Sequence, residues 1–212
     1  MTNKILCIIL FSLILCVGAP ISEAQERSRF TEYNLKYGIS VQIPSHWRII
    51  DKQIMDQIDA NTELLSKVNQ GDNDIIIAAN YTVNNQTLAT ARVSVRTRST
   101  FTQDAIRNMT KSEIEKHDAS GRTMLLSALH QTNDTSTKVS AFKTTKEMLA
   151  GYVCTRTVYQ TIKPPETMNV SIYVIYLGNR AVKMTLSYED SRKDLLKMTI
   201  DKIKRSLVLK NL

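Results

Sequence analysis

Between residues 138 and 188 apolar and polar residues alternate, and turn formers cut the alternation at short intervals. The segments are "KVSAFKTTKEML", "YVCTRTVYQTI", "NVSIYVIYL" and "AVKMTLSY", separated by Gly151, Pro164-Pro165 and Gly178-Asn179. A period of two is that of a strand with one buried face, and the punctuators are hairpin signals. Three or four consecutive antiparallel strands are therefore expected. Upstream, "DIIIAANYTV" and "TLATARVSVRTR" read as a further hairpin, with Asn84-Asn85 as the turn residues.

The stretch at residues 37–50, "YGISVQIPSHWRII", adds a corner. Ile39, Val41 and Ile43 alternate with polar residues after Gly38. Pro44 cannot donate a ladder hydrogen bond, so it ends the strand or marks an edge. Trp47 then opens a second short apolar run and places a large ring where it can close the end of a core. Gly38, Pro44 and Trp47 are thus read as structural.

Helices fill the gaps. Ile54, Met55, Ile58, Leu65 and Val68 recur at helical spacing between Asp51, a fit N-cap, and Asn69. Thr102 caps a second expected helix, with Asp104 in its first turn. Ala105, Ile106, Met109 and Ile114 would face inward, and the helix would continue past a weak break at Gly121 to residues 124–129. Ser191 and Asp194 have capping-box spacing before a closing helix whose stripe is Leu196, Thr199, Ile200, Ile203 and Leu207. An α+β fold follows, a mostly antiparallel sheet flanked by helices.

Residues 1–24 have the layout of a secretory signal peptide: Lys4, an apolar run from Ile5 to Val17, then the small-x-small ending Ser22-Glu23-Ala24. The run is short of the roughly 20 residues of a permanent span, so no integral membrane span is expected after processing. Lipidation at Cys16 is disfavoured by bulky Ile14 and Leu15 before it. Residues 25–212 suit a single domain. That portion keeps only Cys154, which leaves no internal disulfide, so core packing must hold it together. The leader's one lysine and one glutamate cancel, so the net charge of +8 survives its removal. A basic surface of that size favours anionic neighbours; no motif or aromatic-basic array supports nucleic acid.

The combination of "YNLKYGISVQIPSHW", "LAGYVCTRTVYQ", "MTLSYED" and a closing helix ending "IKRSL" resembles the PsbP/Mog1-like family of exported α/β/α sandwich proteins, which includes periplasmic DcrB-like members. The motifs span most of residues 33–207. The resemblance implies a PsbP/Mog1-like sandwich and a non-catalytic accessory or assembly role in a cell envelope, periplasmic or extracellular. It carries over no catalytic residue and no cofactor.

Residues that could bear chemistry are few. His46, His117 and His130 lack the spacing of helical metal ligands. Cys154 would be a nucleophile only beside a histidine in space, and a strand cysteine is usually a small buried hydrophobe. A cryptic hydrolase or thiol enzyme using Cys154 or His46 is the alternative reading. In "ARVSVRTR", Arg92, Ser94, Arg96 and Arg98 fall on the face opposite Ala91, Val93 and Val95. Three guanidiniums aligned along one face, at roughly 7 Å per two residues, could hold anions. The expected role is a non-enzymatic envelope protein that binds a protein partner or an anionic surface, with Arg92, Arg96 and Arg98 as candidate contacts.

Overall fold

The computed structural model describes residues 29–55, 73–131 and 136–210. Its elements are β1 (Phe30–Asn34), β2 (Ile39–Pro44), β3 (Arg48–Ile49), β4 (Asn73–Val83), β5 (Gln86–Arg96), α1 (Gln103–Asn108), α2 (Lys111–Gln131), β6 (Lys138–Leu149), β7 (Tyr152–Lys163), β8 (Glu166–Tyr176), β9 (Ala181–Glu189), α3 (Lys193–Arg205) and β10 (Val208–Leu209). Seven strands form one sheet in the order β3-β4-β5-β9-β8-β7-β6, and β1-β2-β10 form a second. Every pairing is antiparallel. The expected leader, residues 1–24, and the expected helix positions Ile58, Leu65 and Val68 lie outside the described residues.

The expected strands from 138 to 188 are four, joined by tight turns. Asn84 and Asn85, at φ 49° and 63°, make the β4–β5 turn, and Ala150 and Gly151, at 52° and 83°, make the β6–β7 turn. Consecutive residues at positive φ match the right-handed twist of the flanking strands. Strand alternation splits the large sheet into two faces. On one, Val93, Val95, Met184, Leu186, Tyr173 and Ile175 join Ile39, Val41 and Ile43 of β2 and Leu196, Ile200 and Ile203 of α3 in a shared core. The other carries α1, held through buried Ile106, and α2 against β6. Met55, in a helical turn at residues 52–55, packs with Ile75 and Ala78. Among the described residues, no helix is long and apolar enough to cross a membrane.

Local chemistry revises four expectations. The long helix breaks at Met109–Thr110, because Thr110 and Glu113 form a capping box: the Thr110 N–H donates to Glu113 Oε2 at 2.7 Å, and the Glu113 N–H to Thr110 Oγ1 at 3.3 Å. The backbone and hydroxyl hydrogen bonds from Thr110 hold the Glu113 carboxyl below its usual range. Gly121 lies within α2; a Cβ there would sit 3.1 Å from the Phe142 ring, so the missing side chain lets the helix approach β6. The Ser191–Asp194 box is absent, because a 3-10 turn at Asp190–Arg192 runs straight into α3 and leaves Arg192 at the N-cap without a side-chain bond. Ala105 and Ile54 are exposed rather than inward.

The corner at residues 37–50 links the two sheets. β2 is the central strand of the small sheet, ends at Pro44, and after one turn the chain enters the large sheet as β3 beside β4. The Trp47 N–H donates to the Pro44 carbonyl at 2.9 Å. The indole is 4% exposed and stacks on Tyr81, centroids 6.1 Å apart and planes 17° from parallel. Gly38 has φ +67°, and a Cβ there would collide with the carbonyl of Lys210; the Lys210 N–H donates to the Gly38 carbonyl at 2.8 Å. Trp47→Ala is expected to cost about 3–5 kcal/mol in denaturant unfolding through the cavity it leaves. Gly38→Ala is expected to cost about 1–2 kcal/mol from backbone strain alone. A loss under about 1 kcal/mol for Trp47→Ala would show that the indole does not close the core.

Candidate functional site

The catalytic candidates separate in space. Cys154 on β7 is fully buried in the core, paired in register with Glu147 and Ile175. Burial, then the Glu147 charge, pushes its thiol up to about 11, so at neutral pH it offers neither a thiolate nor an exposed sulfur. His46 sits at the exposed corner, edge-on to Tyr81 at 5.4 Å. The hollow it lines with Trp47 and Leu196 is only about 50 Å³. His117 is half-buried on α2 and His130 is exposed near its end. Among the described residues, no group of three or more His, Cys, Asp or Glu is placed to hold a metal.

The arginine row is rearranged. β5 ends at Arg96, so Arg98 leaves the strand for the connection to α1. Arg92, mid-strand between Ala78 and Thr185, is half-buried, and its Nε is sealed from solvent without a hydrogen-bond partner. Arg96 is exposed on a rung that runs Asn73–Arg96–Ala181–Tyr176 across β4, β5, β9 and β8. The adjacent rung on the same face is Ser94–Lys183–Val174. Arg96 and Lys183 are therefore diagonal neighbours, roughly 7–8 Å apart at the backbone.

These two rungs and the 97–102 connection enclose an open cleft of about 340 Å³. Arg96, Arg98 and Lys183 line it with Val174, Tyr176 and Phe101. No carboxylate stands among the described residues that line it. The Phe101 ring is 48% exposed and tilts against Tyr176 at 5.4 Å. Burial pushes the Tyr176 phenol up, opposed by a Thr155 hydrogen bond and the Arg96 charge. Ser99 Oγ is buried in the wall without a partner. The cleft thus combines three cationic side chains with an exposed ring, a combination suited to holding an anion.

Sequence reasoning found Arg96 and Arg98 and missed Lys183, Phe101 and the residue that fixes the connection, Gln103. The Gln103 amide donates to the Val153 carbonyl at 3.0 Å and the Tyr176 carbonyl at 2.8 Å, and accepts from the Val153 N–H at 2.9 Å. It takes the place of a peptide group where the β7–β8 register ends at Cys154 and Ile175. The Gly178 N–H donates to the Phe101 carbonyl at 3.0 Å, and the Ser99 N–H to the Asn179 carbonyl at 3.3 Å, so the connection is tied to the β8–β9 turn. Thr102 caps α1 as expected, accepting from the Ala105 N–H at 3.2 Å. The signal for Gln103 was a lone amide after an N-cap, which no periodicity reveals.

A seven-stranded antiparallel sheet between helices on one face and a helix with a small sheet on the other is the PsbP/Mog1-like α/β/α sandwich, and that is the fold of this chain. The cyanobacterial PsbP of Synechocystis superposes with a TM-score of 0.54 over 91% of this chain and 98% of its own, at 10% identity. LpqN, involved in cell envelope biogenesis of Mycobacterium tuberculosis, gives 0.45 over 90% and 98% at 12% identity. The Ran-binding protein Mog1p of Saccharomyces cerevisiae gives 0.43 over 85% and 95% at 10% identity. No family model and no curated protein matches the sequence. At these identities the likeness is one of fold alone.

Gln103→Ala leaves the Val153 N–H without its acceptor and two strand-end carbonyls without their donor. It is expected to cost about 1–3 kcal/mol and to broaden the amide NMR signals of residues 97–102. Unchanged stability together with unchanged signals would show that the connection is held without Gln103.

Proposed function

We propose that the protein is an exported, non-enzymatic accessory or assembly factor that works in a cell envelope by binding an anionic surface or an acidic partner. On this reading the leader is cut after Ala24 and residues 25–212 act as one domain, in the periplasm or outside the cell. The observation that carries the proposal is the convergence of Arg96, Arg98 and Lys183 on one open cleft at the end of the large sheet. The net charge of +8 supports it by drawing anionic neighbours to the whole molecule. The buried, raised thiol of Cys154 weighs against the thiol-enzyme alternative, and the small size of the hollow that His46 lines, about 50 Å³, weighs against a hydrolase built on it.

Each basic residue near an anionic membrane contributes about 1 kcal/mol. The attraction fades as the Debye length shrinks from about 10 Å at 0.1 M salt to about 3 Å at 1 M. Cosedimentation of the protein with vesicles containing phosphatidylglycerol is expected at low salt and is expected to be lost at high salt. The Arg96→Gln/Arg98→Gln variant should sediment less at low salt while keeping its unfolding midpoint, since both residues lie on exposed positions. Equal sedimentation of variant and wild type, or none by the wild type, would remove this cleft from surface binding.

A further inference from the structure

The cleft is more than a charged surface. Its volume of about 340 Å³ falls in the range of small-ligand sites, roughly 300–1,000 Å³, and its walls divide by chemistry. Arg96, Arg98 and Lys183 supply the cationic side; Phe101, Tyr176 and Val174 supply the apolar side. Simple attraction to a membrane needs neither a cavity nor an aromatic wall. Phe101, 48% exposed with its ring braced on the half-buried Tyr176, presents an uncovered stacking face. Its position does not depend on chance loop geometry, because Gln103 and the Gly178 and Ser99 hydrogen bonds pin the backbone on either side.

We infer that this cleft binds a phosphate ester carried on a flat apolar ring, the phosphate between Arg96, Arg98 and Lys183 and the ring on Phe101. Two guanidiniums and an ammonium suit a dianion with three acceptor oxygens better than they suit a single carboxylate. The ring side has no acid to repel the ester among the described lining residues. The inference rests on reading this end of the sheet as the binding region and narrows what that region takes: a discrete ligand, free in solution or presented at a surface.

Calorimetric titration of the leaderless chain with phenyl phosphate, inorganic phosphate and phenol tests it, with phosphatidylglycerol vesicles as a separate arm. Phenyl phosphate is expected to saturate one site and to bind about tenfold more tightly than inorganic phosphate, the gain of one ring contact; phenol alone should not bind measurably. Phe101→Ser should bring phenyl phosphate down to the level of inorganic phosphate, and Phe101→Tyr should keep the preference. Arg96→Gln should weaken both phosphates about tenfold. Because Phe101 and Arg96 are exposed, an unchanged thermal midpoint confirms that each variant folds. Equal affinity for the two phosphates, no saturable binding of phenyl phosphate, or an unaltered preference in Phe101→Ser overturns the inference. If vesicles bind and phenyl phosphate does not, the ligand cleft is wrong and the anionic-surface reading stands; if neither binds, both fall.

Discussion

Six residues of β2 must pack on one side and pair on both edges, and most of the architecture depends on that. Ile39, Val41 and Ile43 are buried in the core shared with the large sheet and α3. Along its edges β2 pairs with β1 from Phe30↔Pro44 to Asn34↔Ser40 and with β10 through Val208↔Ser40 and Leu209↔Ile39. Where β10 has not yet begun, the Gln42 N–H donates to Ser206 Oγ at 2.9 Å, so the C-cap of α3 substitutes for a strand. A buried backbone donor without a partner costs about 1–3 kcal/mol, which makes this substitution part of the fold and not an ornament. The same strand, after Pro44 and Trp47, hands the chain to the large sheet.

α3 is held to the large sheet by more than its apolar stripe. Lys204 Nζ lies 2.7 Å from a Glu147 oxygen and Arg156 3.5 Å from the other, with both cations near the face of Tyr173. These side chains are 21–40% exposed, so the cluster is partly screened and acts more to set the helix against β6 and β7 than to supply much stability. The cleft at Arg96 lies on the opposite side of the sheet from α3. The cleft therefore stands on strand ends whose positions the core determines, which is the arrangement that keeps a binding site rigid.

Much of this was legible in the residues. Turn chemistry marked three or four hairpin strands and the β4–β5 pair, because Asn84, Asn85, Gly151 and Gly178 adopt positive φ that few other residues accept at low cost and Pro164-Pro165 interrupts the alternation between β7 and β8. The α3 stripe of Leu196, Ile200 and Ile203 was visible because one face meets a core and the rest meets water, while Leu207, expected on the same helix, is buried just beyond its end at Arg205. β1 and β10 were not: the first is a largely exposed polar edge and the second has two residues, so neither carries a period. The break at Thr110 was written in Thr110-Lys111-Ser112-Glu113 but was masked by the helix-forming residues on either side. For the cleft, the sequence shows Arg96 and Arg98 two apart, yet a strand that stops at Arg96 turns a straight row into a pocket wall. Lys183 reaches it through the β5–β9 pairing and Phe101 through the hydrogen bond its carbonyl accepts from Gly178, both between residues far apart in sequence, which leave no local trace.

The dependence of both sheets on β2 is open to one direct measurement, native-state hydrogen exchange followed residue by residue. If β2 holds the small sheet, α3 and the corner together, the amides of Val41 and Ile43 open only with the whole molecule. They should then show the same opening free energy as Val93 and Met184 in the centre of the large sheet. Exchange of Val41 and Ile43 through a local opening several kcal/mol cheaper than that of Val93 and Met184 would contradict it, and would make the small sheet an attachment to a core that stands without it.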